Sequence, residues 1–217
     1  QEEDQTAVRR LNQLTGPFIL RRMKSDVLKE LPPKTENVYR IELEEEQRKL
    51  YLAAVVDARE KLQAAKPEDK MAVFAVLMRL REICCDPRLI ADNWEGGSAK
   101  LDACVELVSS AVEGGHRILL FSQFTSMLEL LAKRLDAEGI SHFTLQGSTP
   151  KPVRAELVRR FNGGEVSVFL ISLRAGGTGL NLTAADIVIH YDPWWNVAAQ
   201  NQATDRAYRI GQQNPVQ

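Results

Sequence analysis

The sequence predicts an α/β fold: a parallel sheet with helices on both faces, interrupted by an inserted helical hairpin. The first observation is that short apolar runs alternate with stretches of helical spacing after Ser98. This alternation is typical of parallel strands joined by crossover helices. The second observation is that two helical stretches follow one another between residues 47 and 95. Two such stretches joined by a turn indicate an antiparallel hairpin.

The N-terminal part predicts the hairpin and the segments that lead to it. Residues 6–15 have helical spacing and are followed by Gly16-Pro17, which ends the helix. Residues 38–43 alternate between apolar and polar side chains, which predicts a half-buried first strand before the insertion. The hairpin helices are predicted over residues 47–65 and from Pro67 to about Asp86, because the residue before a proline is disfavoured in a helix.

The C-terminal part predicts the rest of the sheet and its covering helices. Four apolar runs are short enough to be buried strands, and a loop with polar or glycine residues separates each from the next helix. The predicted strands are residues 118–121, 142–145, 166–171 and 186–191. The predicted helices are residues 98–112 (capped by Ser98), 125–137, 150–161 and 197–208.

Composition excludes several classes of protein. The chain has 217 residues, of which 44% are hydrophobic and 26% are charged, as in ordinary globular domains. No apolar run approaches the roughly 20 residues of a membrane-spanning helix, and no signal-peptide pattern is visible, so we expect neither membrane insertion nor secretion. Three cysteines are too few for a disulfide framework and favour a reducing interior. The net charge of −1 is uninformative about nucleic acid, because a balanced total can hide a basic face.

Both ends of the sequence suggest a piece of a longer protein. The chain begins Gln1-Glu2-Glu3, without an initiating methionine. It stops at Pro215-Val216-Gln217, where an extended segment begins. We therefore expect further polypeptide on both sides.

Three loops that follow predicted strands carry groups suited to phosphate oxygens. Ligands of parallel sheets bind beyond the carboxyl ends of the strands. Hydroxyl groups and unhindered glycine N–H groups are suitable phosphate donors there. A plain turn is the alternative for any one loop, but three such loops at one edge favour a ligand site. The loops are Ser122-Gln123-Phe124, Gly147-Ser148-Thr149 and residues 172–181, which include Arg174, Gly176, Gly177 and Gly179.

The last predicted helix carries the most informative side chains. Gln202, Arg206 and Arg209 stand at i, i+4 and i+7, so one helix would present them on one face. Two planar guanidinium groups and an amide suit phosphoryl oxygens. A salt-bridged surface helix is the alternative, but the adjoining Gly211-Gln212 and Trp194-Trp195-Asn196 favour the phosphate interpretation.

Other chemistry has weaker support in the sequence. Gly177-Thr178-Gly179 lacks the third glycine of a dinucleotide fingerprint, and the sequence contains no P-loop. Cys84 and Cys85 have no partner at zinc spacing, so no metal site is predicted. Trp194 and Trp195 suit either a core or a surface that stacks on nucleic acid.

Together these motifs resemble the second RecA-like lobe of the Swi/Snf-type family, the superfamily-two ATPases that translocate on double-stranded DNA. Two departures occur: Val197 replaces the usual proline after WWN, and Cys85-Asp86 replaces the Asn-His of many eukaryotic members, which suggests a bacterial protein. The resemblance implies that residues 1–35 leave a missing first lobe and that 36–217 form the second lobe, interrupted at about 47–95. The motifs are LPPKTE (31–36), LREICCDP (80–87), LLFSQF (119–124), LQGST (145–149), SLRAGGTGLNL (172–182), DPWWN (192–196) and QATDRAYRIGQ (202–212).

The resemblance implies a role for each candidate residue. Arg206 and Arg209 would be arginine fingers that reach the γ-phosphate of ATP, with Gln202 beside them. Gly177, Gly179 and Asp205 would contribute nucleotide contacts. The others would line the track of one strand of double-stranded DNA and bind its backbone without reading bases: Ser122, Gln123, Gly147, Ser148, Thr149, Arg174, Gly176 and Trp195.

The same resemblance implies what the chain would lack and where it would act. ATP and Mg²⁺ would be held mainly by the first lobe, so we expect this chain alone, as a monomer, to be inactive. The whole protein would remodel nucleoprotein complexes inside the cell, in the bacterial cytoplasm or the eukaryotic nucleus. A strand-separating helicase and a non-catalytic interaction module stay open as alternatives. The interpretation would fail if Arg206 and Arg209 both pointed into the interior of the domain rather than out over the sheet edge.

Overall fold

The computed structural model describes residues 2–19, 31–64, 70–175 and 179–217. Two compact units are present: the first ends at Leu31, and the second is Pro32–Gln217. In the first unit, helix α1 (Glu2–Thr15) begins earlier than predicted and ends at the predicted residue. Its apolar side chains Val8, Leu11 and Leu14 are exposed.

The second unit contains the predicted sheet, hairpin and covering helices. Every element predicted after residue 97 is present, with bounds shifted by at most two residues except in the last helix. The strands are β1 (Ile118–Ser122), β2 (His142–Leu145), β3 (Val168–Ser172) and β4 (Ile187–His190). The helices are α2 (Glu45–Ala64), α3 (Lys70–Cys85), α4 (Ala99–Glu113), α5 (Thr125–Ala137), α6 (Lys151–Asn162) and α7 (Val197–Thr204).

The four strands form a parallel sheet in the order β2-β3-β1-β4. In the central pair, Ile118 lies opposite Val168 and Ser122 lies opposite Ser172, so the carboxyl ends of β1 and β3 are level. Both outer strands also pair in parallel with their neighbours. The prediction of a parallel α/β fold is confirmed, and all four carboxyl ends meet at one edge of the sheet.

The sheet separates two apolar cores. On β1, Ile118 and Leu120 belong to the core covered by α4 and α5, whereas Leu119 and Phe121 belong to the core that includes Phe161 of α6. All four strand residues are fully buried, and each such side chain stabilises the fold by about 1.5–3 kcal/mol. Burial on both faces explains the continuous apolar run of β1, since a parallel sheet exposes neither face.

Helices α2 and α3 form the predicted hairpin, and buried hydrogen bonds join it to the lobe. The Gln47 amide donates from Nε2 to the Ile83 carbonyl at 2.7 Å, which links the two helices. At the end of α3, the Cys85 carbonyl accepts from Ser98 Oγ at 3.0 Å and from Tyr191 Oη at 2.9 Å. Because Tyr191 directly follows β4, this carbonyl anchors the hairpin beside the carboxyl edge of the sheet.

The predicted first strand is wrong. Residues 38–43 have no regular secondary structure. Tyr39 and Ile41 are exposed, because none of the described strands covers their apolar side. Extended pairing occurs slightly earlier instead: Thr35 N–H donates to the Val216 carbonyl at 2.9 Å, and Val216 N–H donates to the Pro33 carbonyl at 3.1 Å. The hairpin therefore does not follow a strand at 38–43.

Among the described helices, none combines the length and the apolar character that crossing a bilayer would need.

Candidate functional site

The turn after β1 is built around two buried polar side chains. Ser122 is fully buried, and its Oγ accepts from Phe124 N–H at 3.1 Å. The Gln123 N–H donates to both carboxylate oxygens of Asp192, at 3.0 and 3.2 Å. Asp192 follows β4, so this contact joins the loops of two adjacent strands. The Ser122 hydroxyl thus shapes the turn and is not offered to solvent.

Burial changes the acidity of Asp192. The side chain is 3% exposed, and this burial raises its pKa to about 6, although the hydrogen bonds from Gln123 and Ser122 and the charges of Lys100 and Arg81 act in the opposite direction. Desolvation dominates because a carboxylate loses more hydration than these donors replace.

The loops after β2 and β3 are held by one side chain of α6, Arg154. Its guanidinium donates from Nε to the Thr149 carbonyl at 2.8 Å and from Nη2 to the Gly147 and Gln146 carbonyls at 2.8 and 3.3 Å. A longer contact of 3.5 Å reaches the Ala175 carbonyl in the loop after β3. We call these contacts the Arg154 clasp.

Other groups of the loops after β2 and β3 remain on the surface, where they could donate hydrogen bonds to a ligand. Gly147 and Ser148 are exposed, whereas Thr149 is half-buried and its Oγ1 accepts from Gln146 N–H at 3.0 Å. Arg174 is exposed in the next loop. Gly176 and Gly177 lie outside the described residues. Gly179 is exposed with a φ of +41°, a conformation that favours glycine.

The loops after β1 and β4 are held by a side chain of the hairpin, Arg81 of α3. Its Nη2 donates to the Pro193 carbonyl at 2.9 Å and to the Asp192 carbonyl at 3.3 Å. The Gln123 amide lies beside it, and the orientation that satisfies both groups lets Gln123 Oε1 accept from Arg81 Nη2 at 2.9 Å and Nε at 3.1 Å. We call these contacts, together with those that Arg81 makes to the rings of Trp194 and Trp195, the Arg81 clasp.

Aromatic rings complete the Arg81 clasp. The Arg81 guanidinium lies over the rings of Trp194 and Trp195, at 5.2 and 4.9 Å from their centroids. The two indole centroids are 4.6 Å apart, and Phe74 of α3 meets both edge-on, at 6.5 and 6.1 Å. Trp195 still exposes 53% of its surface. Trp195 is therefore packed against three side chains and still has about half of its surface accessible to a ligand.

The arginine motif does not form one helical face, and the predicted end of the last helix is wrong. Helix α7 ends at Thr204, and the Asp205 N–H caps it by donating to the Ala203 and Asn201 carbonyls. Residues 205–211 are turns and bends. They are held in part by Gln212, whose buried amide Nε2 donates to the Ala185 and Ala207 carbonyls at 2.7 and 3.2 Å.

The structure places the two arginines in different environments. Arg206 is 4% exposed, and among the described residues its Nε has no hydrogen-bond partner. Burial lowers the pKa of Arg206, as does the nearby charge of Arg209. Arg209, Gln202 and Asp205 are exposed. Arg209 therefore lies on the surface, whereas the expectation that Arg206 points outward is wrong.

The candidate residues fall into two groups. Gln123, Gly147, Ser148, Thr149 and Trp195 lie in loops at the carboxyl edge, and Arg174 lies in the loop that follows β3 there. The motif from 202 to 212 instead joins the segment before β4, since Leu182 N–H donates to the Arg206 carbonyl at 3.0 Å. Sequence reasoning missed Arg81 and Arg154, the side chains that hold the first group. Arg81 stands in the quoted LREICCDP motif, which was the available signal; Arg154 had none.

A parallel α/β lobe whose loops carry groups suited to phosphate oxygens is compatible with a helicase-type ATPase lobe. The family described as helicase conserved C-terminal domain matches residues 99–211, and the SNF2-related domain matches residues 1–89. The chain belongs to the SNF2-type helicase family and contains its C-terminal domain. The prediction of the family is confirmed.

Similar proteins occur in bacteria, eukaryotes and archaea. An uncharacterized ATP-dependent helicase of Mycoplasma genitalium is 38% identical over the whole chain, and a mouse SWI/SNF-related regulator of chromatin (subfamily A member 1) is 39% identical over 98% of it. The chain spans 21% and 22% of these relatives. The Sulfolobus solfataricus SWI2/SNF2 ATPase core in complex with double-stranded DNA is 30% identical, with a TM-score of 0.75 over 96% of this chain and 45% of that one.

Proposed function

We propose that this chain is the C-terminal motor lobe of an ATP-dependent translocase on double-stranded DNA, and that it supplies Arg206 and Arg209 as arginine fingers. The observation that carries the proposal is the environment of Arg206. A guanidinium that is 4% exposed, with an Nε that lacks a partner among the described residues, is costly in a folded protein. An anionic ligand would compensate that cost.

The two arginines differ in how readily they could reach a transferred phosphoryl group. Exposed Arg209 is accessible to a nucleotide held on another domain, whereas Arg206 has to emerge or be reached when the domains close. A guanidinium at the transferred phosphoryl group neutralises charge in the transition state and accelerates hydrolysis by about 10³–10⁵-fold. Among the described residues, no cluster of acidic, histidine or cysteine side chains could hold a metal ion. Mg²⁺ and most contacts to ATP are assigned to the first lobe, as the family resemblance implies.

DNA binding is assigned to the carboxyl edge. The exposed groups there are Gly147, Ser148, Arg174 and Trp195, and the similar archaeal core was solved with double-stranded DNA. Backbone contacts position a duplex without reading its sequence. The proposal therefore predicts sequence-independent binding that weakens steeply with salt.

The finger assignment is tested in the full-length protein by Arg206→Ala and Arg209→Ala, with Arg159→Ala as the matched control. Arg159 is an exposed arginine of α6 that pairs with Glu156. We expect each finger variant to lose at least about a thousandfold in DNA-stimulated ATP turnover while ATP binding, followed by fluorescence of a nucleotide analogue, changes little. Turnover that survives Arg206→Ala would refute its assignment.

Two further measurements separate this proposal from its alternatives. The 217-residue chain alone should show no DNA-stimulated hydrolysis, since it would lack most of the nucleotide site. A translocase should move along a duplex without displacing a strand from a forked substrate. Strand displacement by the full-length protein would favour the strand-separating helicase instead.

A further inference from the structure

Arg81 connects the hairpin to both loops on one half of the carboxyl edge. It donates to the Asp192 and Pro193 carbonyls in the loop after β4, and it lies within hydrogen-bond distance of Gln123 in the loop after β1. Its guanidinium plane also covers the indole rings of Trp194 and Trp195. No strand of the sheet supplies an equivalent contact to the Trp195 ring among the described residues.

We propose that Arg81 is a positioning residue that fixes Trp195 and Gln123 for contact with duplex DNA. The inserted hairpin, rather than the sheet, thereby sets this part of the interface. The inference rests on the proposed function, because it names how one set of DNA contacts is held in place.

The loop backbone has its own support, so the effect of Arg81 falls mainly on side chains. The Trp194 carbonyl accepts from Gln200 Nε2 at 2.7 Å, and Asn196 Oδ1 caps α7 by accepting from Ala198 N–H at 3.0 Å. These contacts keep the loop attached to α7. The Trp195 ring, in contrast, touches Trp194 and two side chains of α3, Phe74 and Arg81.

Only arginine can make all these contacts at once. Its planar guanidinium has five donors, and it stacks on aromatic faces while donating to carbonyls in its own plane. Lysine keeps the positive charge but carries a compact ammonium group that cannot bridge both loops and cover two rings. Arg81→Lys therefore removes the positioning function and keeps the charge.

The experiment compares the wild-type chain with Arg81→Lys, Arg81→Met and the control Arg79→Lys, which changes an exposed arginine on the same helix. Circular dichroism reports the exciton couplet of the adjacent Trp194–Trp195 pair, whose ring centroids are 4.6 Å apart. Fluorescence anisotropy reports affinity for a labelled duplex over a salt series. Urea unfolding checks that each variant folds.

We expect both Arg81 variants to lose most of the couplet and to bind the duplex about fivefold more weakly, a loss on the scale of one cation–π contact. Arg79→Lys should match the wild type. The salt dependence of binding should keep its slope in Arg81→Met, because a positioning residue touches no phosphate. A slope reduced by about one charge would show that Arg81 contacts DNA itself and would overturn the proposal.

An unchanged couplet, or unchanged affinity in both Arg81 variants, would also overturn it. A wild-type chain that does not bind duplex DNA would instead contradict the proposed function. The couplet would then decide by itself whether Arg81 positions the two tryptophans.

Discussion

Each half of the carboxyl edge is held by the guanidinium of one arginine, but the two arginines belong to different parts of the molecule. The sheet order is β2-β3-β1-β4. The Arg154 clasp binds carbonyls of the loops after β2 and β3, and the Arg81 clasp binds the loops after β1 and β4. Arg154 belongs to a crossover helix of the lobe, whereas Arg81 belongs to the inserted hairpin.

This difference divides the carboxyl edge into a fixed half, held from within the lobe, and an adjustable half, held by the hairpin. Arg154 donates to backbone carbonyls of the loops after β2 and β3, so it helps to fix the path of two loops within the lobe. Arg81 also holds side chains, namely Gln123 and the tryptophan pair. A displacement of the hairpin would therefore move the half around Trp195 and leave the other half in place.

The largest expected effect comes from breaking the fixed half. Arg154→Met should lower the free energy of unfolding by about 3 kcal/mol, because several carbonyls lose a charged donor and only some can be reached by water. Urea unfolding followed by far-ultraviolet circular dichroism measures the change. Arg159→Met, on the same helix, breaks only an exposed ion pair with Glu156 and should cost well under about 1 kcal/mol. Equal losses in the two variants would contradict the Arg154 clasp.

A second test concerns Asp192, the carboxylate beneath the Arg81 clasp. Burial raises its pKa from 3.8 to about 6, so the folded protein binds this proton more tightly than the unfolded chain. Its ionisation therefore costs folding free energy, and the stability present below pH 4 is lost as pH rises through 6. Asp192→Asn should raise the free energy of unfolding by about 2 kcal/mol at pH 7.5 and have little effect at pH 4.

Urea unfolding of wild type and variant at both pH values measures this difference. The control is Asp102→Asn, which removes the charge of an exposed carboxylate of α4. A stability difference for Asp192→Asn that is the same at pH 4 and pH 7.5 would contradict a raised pKa.

Most of the sheet could be predicted because the strands are recognisable from their own local sequence. The run Ile118–Leu119–Leu120–Phe121 is apolar at consecutive positions, as burial on both faces requires. Residues 38–43 show why alternation alone is insufficient: Tyr39 and Ile41 have strand spacing, but no strand in the described ranges pairs with them. Pairing partners are distant in the chain, and Val216, which pairs near Lys34, gives no sign of this in its local pattern.

The candidate site was predicted in part, because strand order places some of its residues whereas contacts between distant parts of the sequence place the others. The loops at the carboxyl edge follow from strand order, so Gly147, Ser148 and Trp195 could be placed by topology. The helix over the arginine motif was wrong because its continuation depends on tertiary contacts: Gln212 holds the turn through the Ala185 carbonyl, which lies far away in sequence. The burial of Arg206 follows from the same turn and had no local signal.

A smaller effect is expected where the hairpin joins the lobe. Tyr191→Phe removes the hydroxyl that donates to the Cys85 carbonyl at 2.9 Å, and Ser98 Oγ still serves that carbonyl. Because one buried neutral hydrogen bond is lost while the carbonyl keeps a partner, the free energy of unfolding should fall by about 1 kcal/mol. The control Tyr39→Phe changes an exposed ring and should be neutral. A loss above about 3 kcal/mol would mean that the hairpin depends on this single bond.

The smallest expected effect is the coupling between the two clasps. Their hydrogen bonds within the described part of the chain go to different carbonyls, although the loops meet where Leu173 N–H donates to the Ser122 carbonyl at 2.9 Å. The double variant Arg81→Lys/Arg154→Met should therefore lose the sum of the single losses within about 0.5 kcal/mol, as independent sites do. A coupling above about 1 kcal/mol in urea unfolding would show that both arginines hold one cooperative edge. The hairpin could then not move the Trp195 half without disturbing the other, and the distinction between a fixed and an adjustable half would be lost.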